Sequence, residues 1–461
     1  MAQDPLEALL GADRVSTAPE DLAAHARDAF YPDELRPDVV VFAHSAADVQ
    51  AVLAHAQEAG RPVVPYAVGS SLEGGALARF GGISLDLTRM DRILEIKAAD
   101  LLAVVEPGVT HEQLNAALEP HGVFFTVDPG ADASLGGMAA TAASGTMAVR
   151  YGTMRDNVLG LQVALASGEL IRTGTRAPKS ASGYSLTPLL VGSEGTLGVF
   201  TELTVRLAGR PSAVLAATAA FASVEDAVAA AVAVIGEGIP VARIELLDAA
   251  SMGVVNAFNG LSVTEAPTLF LEFHGQQAAI AEEAAATERI CSAHGASALA
   301  RAVEADERER LWEARHQLAY AALAAHPGRR ATTTDVAVPI SELPGAVAAS
   351  RTLLDEHGLD GYVLGHVGDG NFHVLVMSDP DDGDAERAAD AVNDGIVSHA
   401  LSVGGTATGE HGVGIRKQRY MRAEHGASLD AMRAIKQALD PSGILNPGKL
   451  VDPEPATAVD R

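Results

Sequence analysis

Across 461 residues there is one cysteine, Cys291, which excludes an internal disulfide framework, a cysteine-rich zinc site and a protein-ligated iron–sulfur cluster. The lone thiol reads as a buried helix residue. Long apolar runs are missing as well: nowhere do about 18 apolar residues follow one another, so no helical membrane span is expected. The opening stretch MAQDPLEALLGADR has no basic segment followed by an apolar one, which points to a cytoplasmic protein, at most peripheral to a membrane. Basic charge is in deficit: 33 Lys and Arg against 60 Asp and Glu give a net charge of −27, which argues against a nucleic acid or an anionic lipid surface as the main partner. Two nucleotide fingerprints are also absent, the P-loop pattern G-x-x-x-x-G-K-[ST] and a Rossmann G-x-G-x-x-G between strand and helix.

What is present is an ordinary globular composition, 48% hydrophobic with 45 Gly and 22 Pro, long enough for two domains or more. Thr17-Ala-Pro-Glu20 has capping-box spacing, so a short helix within 15–27 is expected to start the protein. From about 38 to 210, short β-type runs (DVVVFA, PVVPYAV, ISLDL, LLAVVEPG, VLGLQVALA, LTVRL) alternate with glycine-rich loops, and AADVQAVLAHAQEAG reads as an amphipathic helix closed by Gly60. From about 213 to 400 the texture is strand–helix–strand twice over, which suits an antiparallel sheet with helices on one face. Further helices are expected over 305–325, 341–357 and DAERAADAVNDGIVSHALSVGG, and the acidic, proline-containing tail after ILNPGKL is expected to fray.

Two loops stand out, VGSSLEGG at 68–75 and PGADASLGGMAATAASG at 129–145. Runs of Gly, Ser and Ala expose successive backbone N–H groups and so form anion nests suited to a diphosphate. Taken singly, each loop is equally well read as tight packing of small residues. GSEGTLG at 192–198 adds a third glycine cluster, and the three together favour a dinucleotide cofactor bound in a non-Rossmann manner. The residues alone do not say which one.

The stretch HVGDGNFH, His366 to His373, raises the chemical question. Two glycines and an Asp-Gly pair disfavour a helix, while strand-like flanks favour a hairpin with a two-residue type I′ turn at Asp369-Gly370. In that register His366 faces His373, Val367 faces Phe372, and the two imidazoles converge as a chelating pair. A pair of hydrogen-bonded core histidines is the competing reading, and a third ligand would decide between them.

The order of motifs supplies more. VPYAVGSSLEGGAL, SLDLTRMDRI, VDPGADASLGGMAATAASGTMAVRYGTMRDNVLGLQV and KSASGYSLTPLLVGSEGTLG together resemble the PCMH-type FAD-binding domain of the vanillyl-alcohol oxidase family. HVGDGNFH, GEHGVG and NPGK resemble the C-terminal half of its D-2-hydroxy-acid dehydrogenase branch, and DPGADASLGGMAATAASGT with TDVAVPISELP looks closest to the cytochrome-linked D-lactate dehydrogenases. The resemblance spans nearly the whole chain. It implies an α+β flavoprotein: an N-terminal helical segment at 1–34, an FAD-binding domain of two α+β subdomains at 35–212, an antiparallel-sheet cap or substrate domain with helices on one face at 213–405, and a C-terminal segment at 406–461 that returns to complete the site.

It also implies site residues. The FAD diphosphate would lie against Val68, Gly69, Ser70, Ser71 and Leu72, and against Pro129, Gly130, Ala131, Ser134, Leu135, Gly136 and Gly137. Ala140, Thr141, Ser144, Tyr151 and Val199 would line the rest of the cofactor, with the isoalloxazine ring near Gly145, Gly152, Glu194, Gly195 and Gly198 and with Asn446 returning from the C-terminus. VGSSLEGG carries no histidine, so FAD is expected to be non-covalent. A divalent metal (zinc, manganese or iron) would be held by His366, His373 and Glu410. His411 would be the base, and Arg315 would grip the substrate carboxylate, although Arg308 and Arg310 make Arg315 alone look like one of several surface arginines. Thr333 and Thr334 stand where relatives acting on D-2-hydroxyglutarate carry a lysine, which argues for a small monocarboxylate.

The implied reaction is oxidation of a D-2-hydroxy acid, D-lactate first and glycolate or D-2-hydroxyglutarate as alternatives. A cytochrome, quinone or electron-transfer flavoprotein would accept the electrons. From a different class, a metal-dependent hydrolase would use the same histidines and Glu410 to activate water, but would leave the glycine loops unexplained; a cofactor-free binding protein would make both sites mere packing. His274 reads either as facing the flavin or as a satisfied histidine at a strand end.

Overall fold

A computed structural model describes residues 4–260 and 264–451, so the tail expected to fray, 452–461, lies outside the described residues. The chain forms two compact units: residues 1–144, 152–210 and 410–461 make the first, and 145–151 with 211–409 make the second.

In the first unit, Val39–Phe42, Ile83–Asp86 and Val63–Tyr66 pair in parallel in that order, with Val15–Ser16 antiparallel at the edge. These are nearly continuous apolar runs, as strands covered on both faces must be. The helix Ala46–Ala59 buries Val49, Val52, Leu53 and Ala56; Ser45 caps its start through the Asp48 N–H (3.3 Å), and Gly60 ends it at φ 62°. A second, antiparallel sheet runs Ile93–Lys97, Leu102–Val105, Val199–Arg206, Val158–Ala164, Leu170–Gly174. The short helix Leu135–Thr141 packs into its core through Leu135, Met138 and Ala139.

The N-terminal expectation needs correction. A helix, Pro5–Leu10, capped by Asp4, comes before the one read at 15–27, and that one runs Pro19–Ala24 from Ala18, with no side-chain cap. Ser16 takes part instead, bonding Asp21 and accepting from the Ala18 N–H.

The second unit is one antiparallel sheet ordered Ala298–Ala302, Ala213–Ala220, Thr268–Gly275, Val241–Leu247, Gly361–Gly365, Asn371–Ser378, Arg330–Thr333. Helices Val224–Gly236, Gln277–Ala293, Leu343–His357 and Gly383–Ser402 pack side by side. Cys291 is fully buried on the second of these, and burial pushes its thiol up to about 11. The sequence reading missed the helix Ala249–Asn259, capped by Asp248, and joined 305–325 into one helix where Gln317 divides Ala305–His316 from Leu318–Ala325. Among the described residues no helix is long and apolar enough to cross a membrane.

Candidate active site

The histidine hairpin is real, but its register is not the one expected. Leu364, not His366, lies opposite His373, and Val363 lies opposite Val374. The turn is wider than two residues: strands end at Gly365 and resume at Asn371, and the Asp369 N–H donates to the His366 carbonyl at 3.2 Å. Packing sets this shape. A Cβ on Gly368 would meet Ile244 at 2.3 Å and Val149 at 2.7 Å; one on Gly370, at φ +80°, would meet the Val338 carbonyl at 2.2 Å. The wider loop still brings the imidazoles together, centroids 5.5 Å apart and planes at 86°.

Both rings are tied from behind at the same atom. His366 Nδ1 lies 2.6 Å from Glu245 Oε1, and His373 Nδ1 lies 3.1 Å from the Thr334 carbonyl oxygen. A carbonyl can only accept, so His373 Nδ1 carries a proton; Glu245 is held below the usual carboxylate range, because His366 and Arg315 outweigh a burial that would raise it, so His366 Nδ1 donates too. A neutral ring with its proton held on Nδ1 offers Nε2 as its ligand nitrogen, and a backing acceptor of this kind is what metal-ligating histidines use. Asp335, fully buried, accepts from Asn371 Nδ2 at 2.9 Å and Thr408 Oγ1 at 2.7 Å. Thr334 is sheet framework as well, its Oγ1 accepting from the Val374 N–H at 2.9 Å.

Arg315 is buried, not a surface arginine, and gives Nε (3.0 Å) and Nη2 (2.7 Å) to Glu245 Oε2. One carboxylate therefore orients both His366 and Arg315, while the Nη1–Nη2 edge of the guanidinium is the one that remains for a ligand carboxylate. Glu245 went unnoticed in the sequence, yet an acid inside VARIELL was a legible signal, since an unpaired buried carboxylate is prohibitively costly. Glu272 in TLFLEFHG is a second such acid; it bonds His274 Nε2 at 2.7 Å, and His274 Nδ1 meets Tyr151 at 2.9 Å. His274 is thus a satisfied histidine in a polar chain.

Gly409 closes the second unit's part of the GEHGVG motif. A Cβ there would lie 2.1 Å from Asn371 Nδ2, so only glycine fits against the hairpin's Asn371. Glu410 and His411 open the segment that belongs to the first unit. There Val413 and Gly414 donate to the two carboxylate oxygens of Glu194 at 2.6 and 2.8 Å, and a Cβ on Gly412 (φ +82°) would meet Glu194 at 3.0 Å. Burial pushes the Glu194 carboxyl up, against those two donors and Lys449. Glu73, in the 68–75 loop and equally buried, is the other residue the sequence reading missed. Burial would raise it, but Lys417 (3.3 Å), His411 (3.7 Å) and Arg416 together hold it low.

The glycine segments meet within the first unit. Asn446 Nδ2 donates to the carbonyls of Gly75 (3.0 Å) and Glu194 (2.7 Å); Lys449 Nζ donates to Leu77 O (2.6 Å) and Asn446 Oδ1 (3.0 Å). Glu194 N–H bonds the Ala140 carbonyl at 2.8 Å, which ties 192–198 to the helix Leu135–Thr141 that Ser134 caps. Val68–Leu72, Pro129–Ala131, Ser134–Gly137, Ala140, Thr141, Ser144, Gly152, Glu194, Gly195, Gly198, Val199 and Asn446 all belong to this unit, whereas Gly145 and Tyr151 belong to the second. The nest reading of 68–75 narrows, because Gly74 N–H goes to Asp28 (2.9 Å) and Gly75 N–H to Ser71 (3.1 Å).

Residues 37–174 match the model of an FAD binding domain, and 210–450 match that of the C-terminal domain of FAD linked oxidases. The second match alone covers more than half the chain. The chain belongs to the FAD-linked oxidase family. The chain is 44% identical over 446 residues to the probable mitochondrial D-lactate dehydrogenase of Danio rerio, covering 96% of this chain and 90% of that one. It is 45% identical over 418 residues to the mitochondrial D-lactate dehydrogenase [cytochrome] of Arabidopsis thaliana, covering 90% and 74%. In fold it is similar to p-cresol methylhydroxylase with substrate bound, at TM-score 0.80 and 19% identity, over 97% of this chain and 95% of the other. The α+β architecture with a PCMH-type FAD-binding domain and the standing of the chain as an FAD-dependent oxidoreductase follow from these matches. The hydrolase and binding-protein readings fall with them.

Proposed function

We propose that this protein is a dehydrogenase that converts a D-2-hydroxy acid, D-lactate foremost, to the 2-oxo acid, which for D-lactate is pyruvate. The observation that carries the reading is the pair His366 and His373 with each Nδ1 tied back, beside an arginine oriented by the same Glu245. The names of the two relatives support the choice of D-lactate.

FAD, when bound without a covalent link, supplies the acceptor for the hydride that leaves Cα. A divalent metal (zinc, manganese or iron) held by His366, His373 and Glu410 would acidify the substrate hydroxyl and fix its place. His411 takes the hydroxyl proton as general base, with Glu73 facing its Nδ1 and Lys417 balancing Glu73. Arg315 offers its remaining edge to the substrate carboxylate. We assign cofactor binding to 35–212 after the N-terminal segment 1–34, substrate binding to 213–405, and completion of the site to 406–461.

Electrons then pass to a cytochrome, a quinone or an electron-transfer flavoprotein; the Arabidopsis relative's name favours the first. Both relatives are named as mitochondrial, so the cytoplasmic setting read from the sequence is one that fractionation of the source cells decides.

Replacing His366 or His411 by Ala is expected to leave a yellow protein that D-lactate does not reduce, with bound metal lost only in the His366 variant. Rapid flavin reduction in both would sink the assignment. Glycolate and D-2-hydroxyglutarate as competing substrates fix which hydroxy acid is preferred.

A further inference from the structure

The second unit contains the same construction twice. In the first copy, helix Ala305–His316 donates through Arg315 to Glu245, whose other oxygen holds His366. In the second, the same helix donates through Trp312 Nε1 to Glu272 Oε2 at 2.6 Å, and Glu272 Oε1 holds His274 Nε2 at 2.7 Å. Arg243 lies across the strand pair from Glu272 and two residues from Glu245, so both acids share one sheet face. The first copy serves the histidine pair. The second ends on Tyr151, whose hydroxyl is 2.9 Å from His274 Nδ1, and nothing in the mechanism above uses it.

We propose that Tyr151 donates a hydrogen bond to the substrate carboxylate, with His274 and Glu272 as positioning residues behind it; this rests on the reading of the substrate as a 2-hydroxy acid. The placement fits. Tyr151 ends the helical turn Ala148–Tyr151, and Val149 of that turn is what a side chain at Gly368, between the two histidines, would strike. The direction of the bonds follows from the acceptor at the far end. Glu272 stays ionised: burial opposes this, but His274, Arg243 and Trp312 outweigh it. With Glu272 anionic, Nε2 of His274 donates to it, and in the resting site the Tyr151 O–H donates to Nδ1. An arriving carboxylate takes the Tyr151 O–H as its own donor, and His274 Nδ1, left without that donor, takes up one proton from solvent and donates it to the Tyr151 oxygen.

Charged neighbours do not stand in the way. Glu272 lies on the strand of His274 itself; the adjacent strand presents Arg243 and Glu245, and the 148–151 turn presents Arg150, which is stacked on the Tyr151 ring at 5.5 Å and bonded to Pro240 O. The helix presents Arg315, already paired with Glu245. Binding should therefore take up one proton.

The test compares wild type with Tyr151→Phe, His274→Gln and the double variant, all loaded with FAD. Anaerobic flavin reduction is followed against D-lactate concentration, and pyruvate binding is measured calorimetrically in two buffers of different ionisation enthalpy. Tyr151→Phe should weaken binding of both ligands by about 10- to 100-fold, the worth of a hydrogen bond to a charged group, with a smaller change in the limiting reduction rate. Proton uptake on pyruvate binding should vanish in both single variants, and His274→Gln should add nothing in the Tyr151→Phe background. A purely structural role would instead lower the melting temperature and leave affinity and proton uptake unchanged. Unaltered binding of both ligands by Tyr151→Phe overturns the proposal. If wild type binds pyruvate with proton uptake but no 2-hydroxy acid reduces its flavin, the oxidation reading fails while the Tyr151 site stands. If wild type binds neither ligand, both fail.

Discussion

Glu245 is the residue on which most depends. It is fully buried, yet it is held ionised by a histidine on one oxygen and an arginine on the other. Removing it leaves Arg315 as an uncompensated buried charge, so Glu245→Ala should cost roughly 3–5 kcal/mol in denaturant unfolding, together with turnover and the proposed metal. Its folded pKa lies below the unfolded value, so its contribution is full above the ordinary carboxylate range, near about 4.3, and is lost as pH falls through the folded value. Glu194 runs the other way: its carboxyl is raised, so it costs stability as pH rises past that same range. Acid unfolding of Glu245→Gln should accordingly be shallower than that of wild type, and an identical pH profile would remove Glu245 from the account. Part of this was readable from the sequence. The two histidines, Arg315 and the GEHGVG motif announced themselves by spacing or resemblance. Glu245 and Glu272 showed only as acids inside apolar strands, and their partners, like those of Glu73, were not legible because a carboxylate's partners are set by strands and helices far away in the chain.

At the level of elements, the hairpin shows where local chemistry stops being a guide. Asp-Gly favours a two-residue turn, and nothing within HVGDGNFH contradicts it. The wider loop is imposed from outside by Ile244 and Val149 against Gly368 and by the Val338 carbonyl against Gly370. Gly368→Ala should therefore destabilise by about 1–3 kcal/mol and weaken metal binding, as overpacking does. Gly345 is an exposed glycine inside helix Leu343–His357 with nothing within 4 Å of a Cβ, and Gly345→Ala should stabilise by about 0.5–1 kcal/mol. Thermal unfolding of the two variants side by side checks the pair; a shift of the same sign in both would mean that the hairpin contacts do not set its shape. Helix Ala46–Ala59 with Gly60 was legible because cap, apolar face and terminator agree in one short window. Helix Ala249–Asn259 was not, since its start is marked only by Asp248.

For the whole molecule, the architecture was legible chiefly through the order of its glycine-rich motifs, and the family matches agree with that order. Composition narrowed the field by exclusion: one cysteine and a net charge of −27 leave little room for disulfide scaffolds, iron–sulfur clusters or nucleic-acid partners. The membership of 145–151 in the second unit had no signal in the sequence. Such an excursion is decided by which elements pack against Ala148–Tyr151, and that is a tertiary fact.

The central claim, that FAD in this protein is reduced by a D-2-hydroxy acid, is tested most directly by the visible spectrum of the purified holoprotein under anaerobic conditions. A flavin band that D-lactate bleaches and L-lactate leaves intact is the predicted result. A flavin band that neither enantiomer bleaches, nor glycolate nor D-2-hydroxyglutarate, would contradict it.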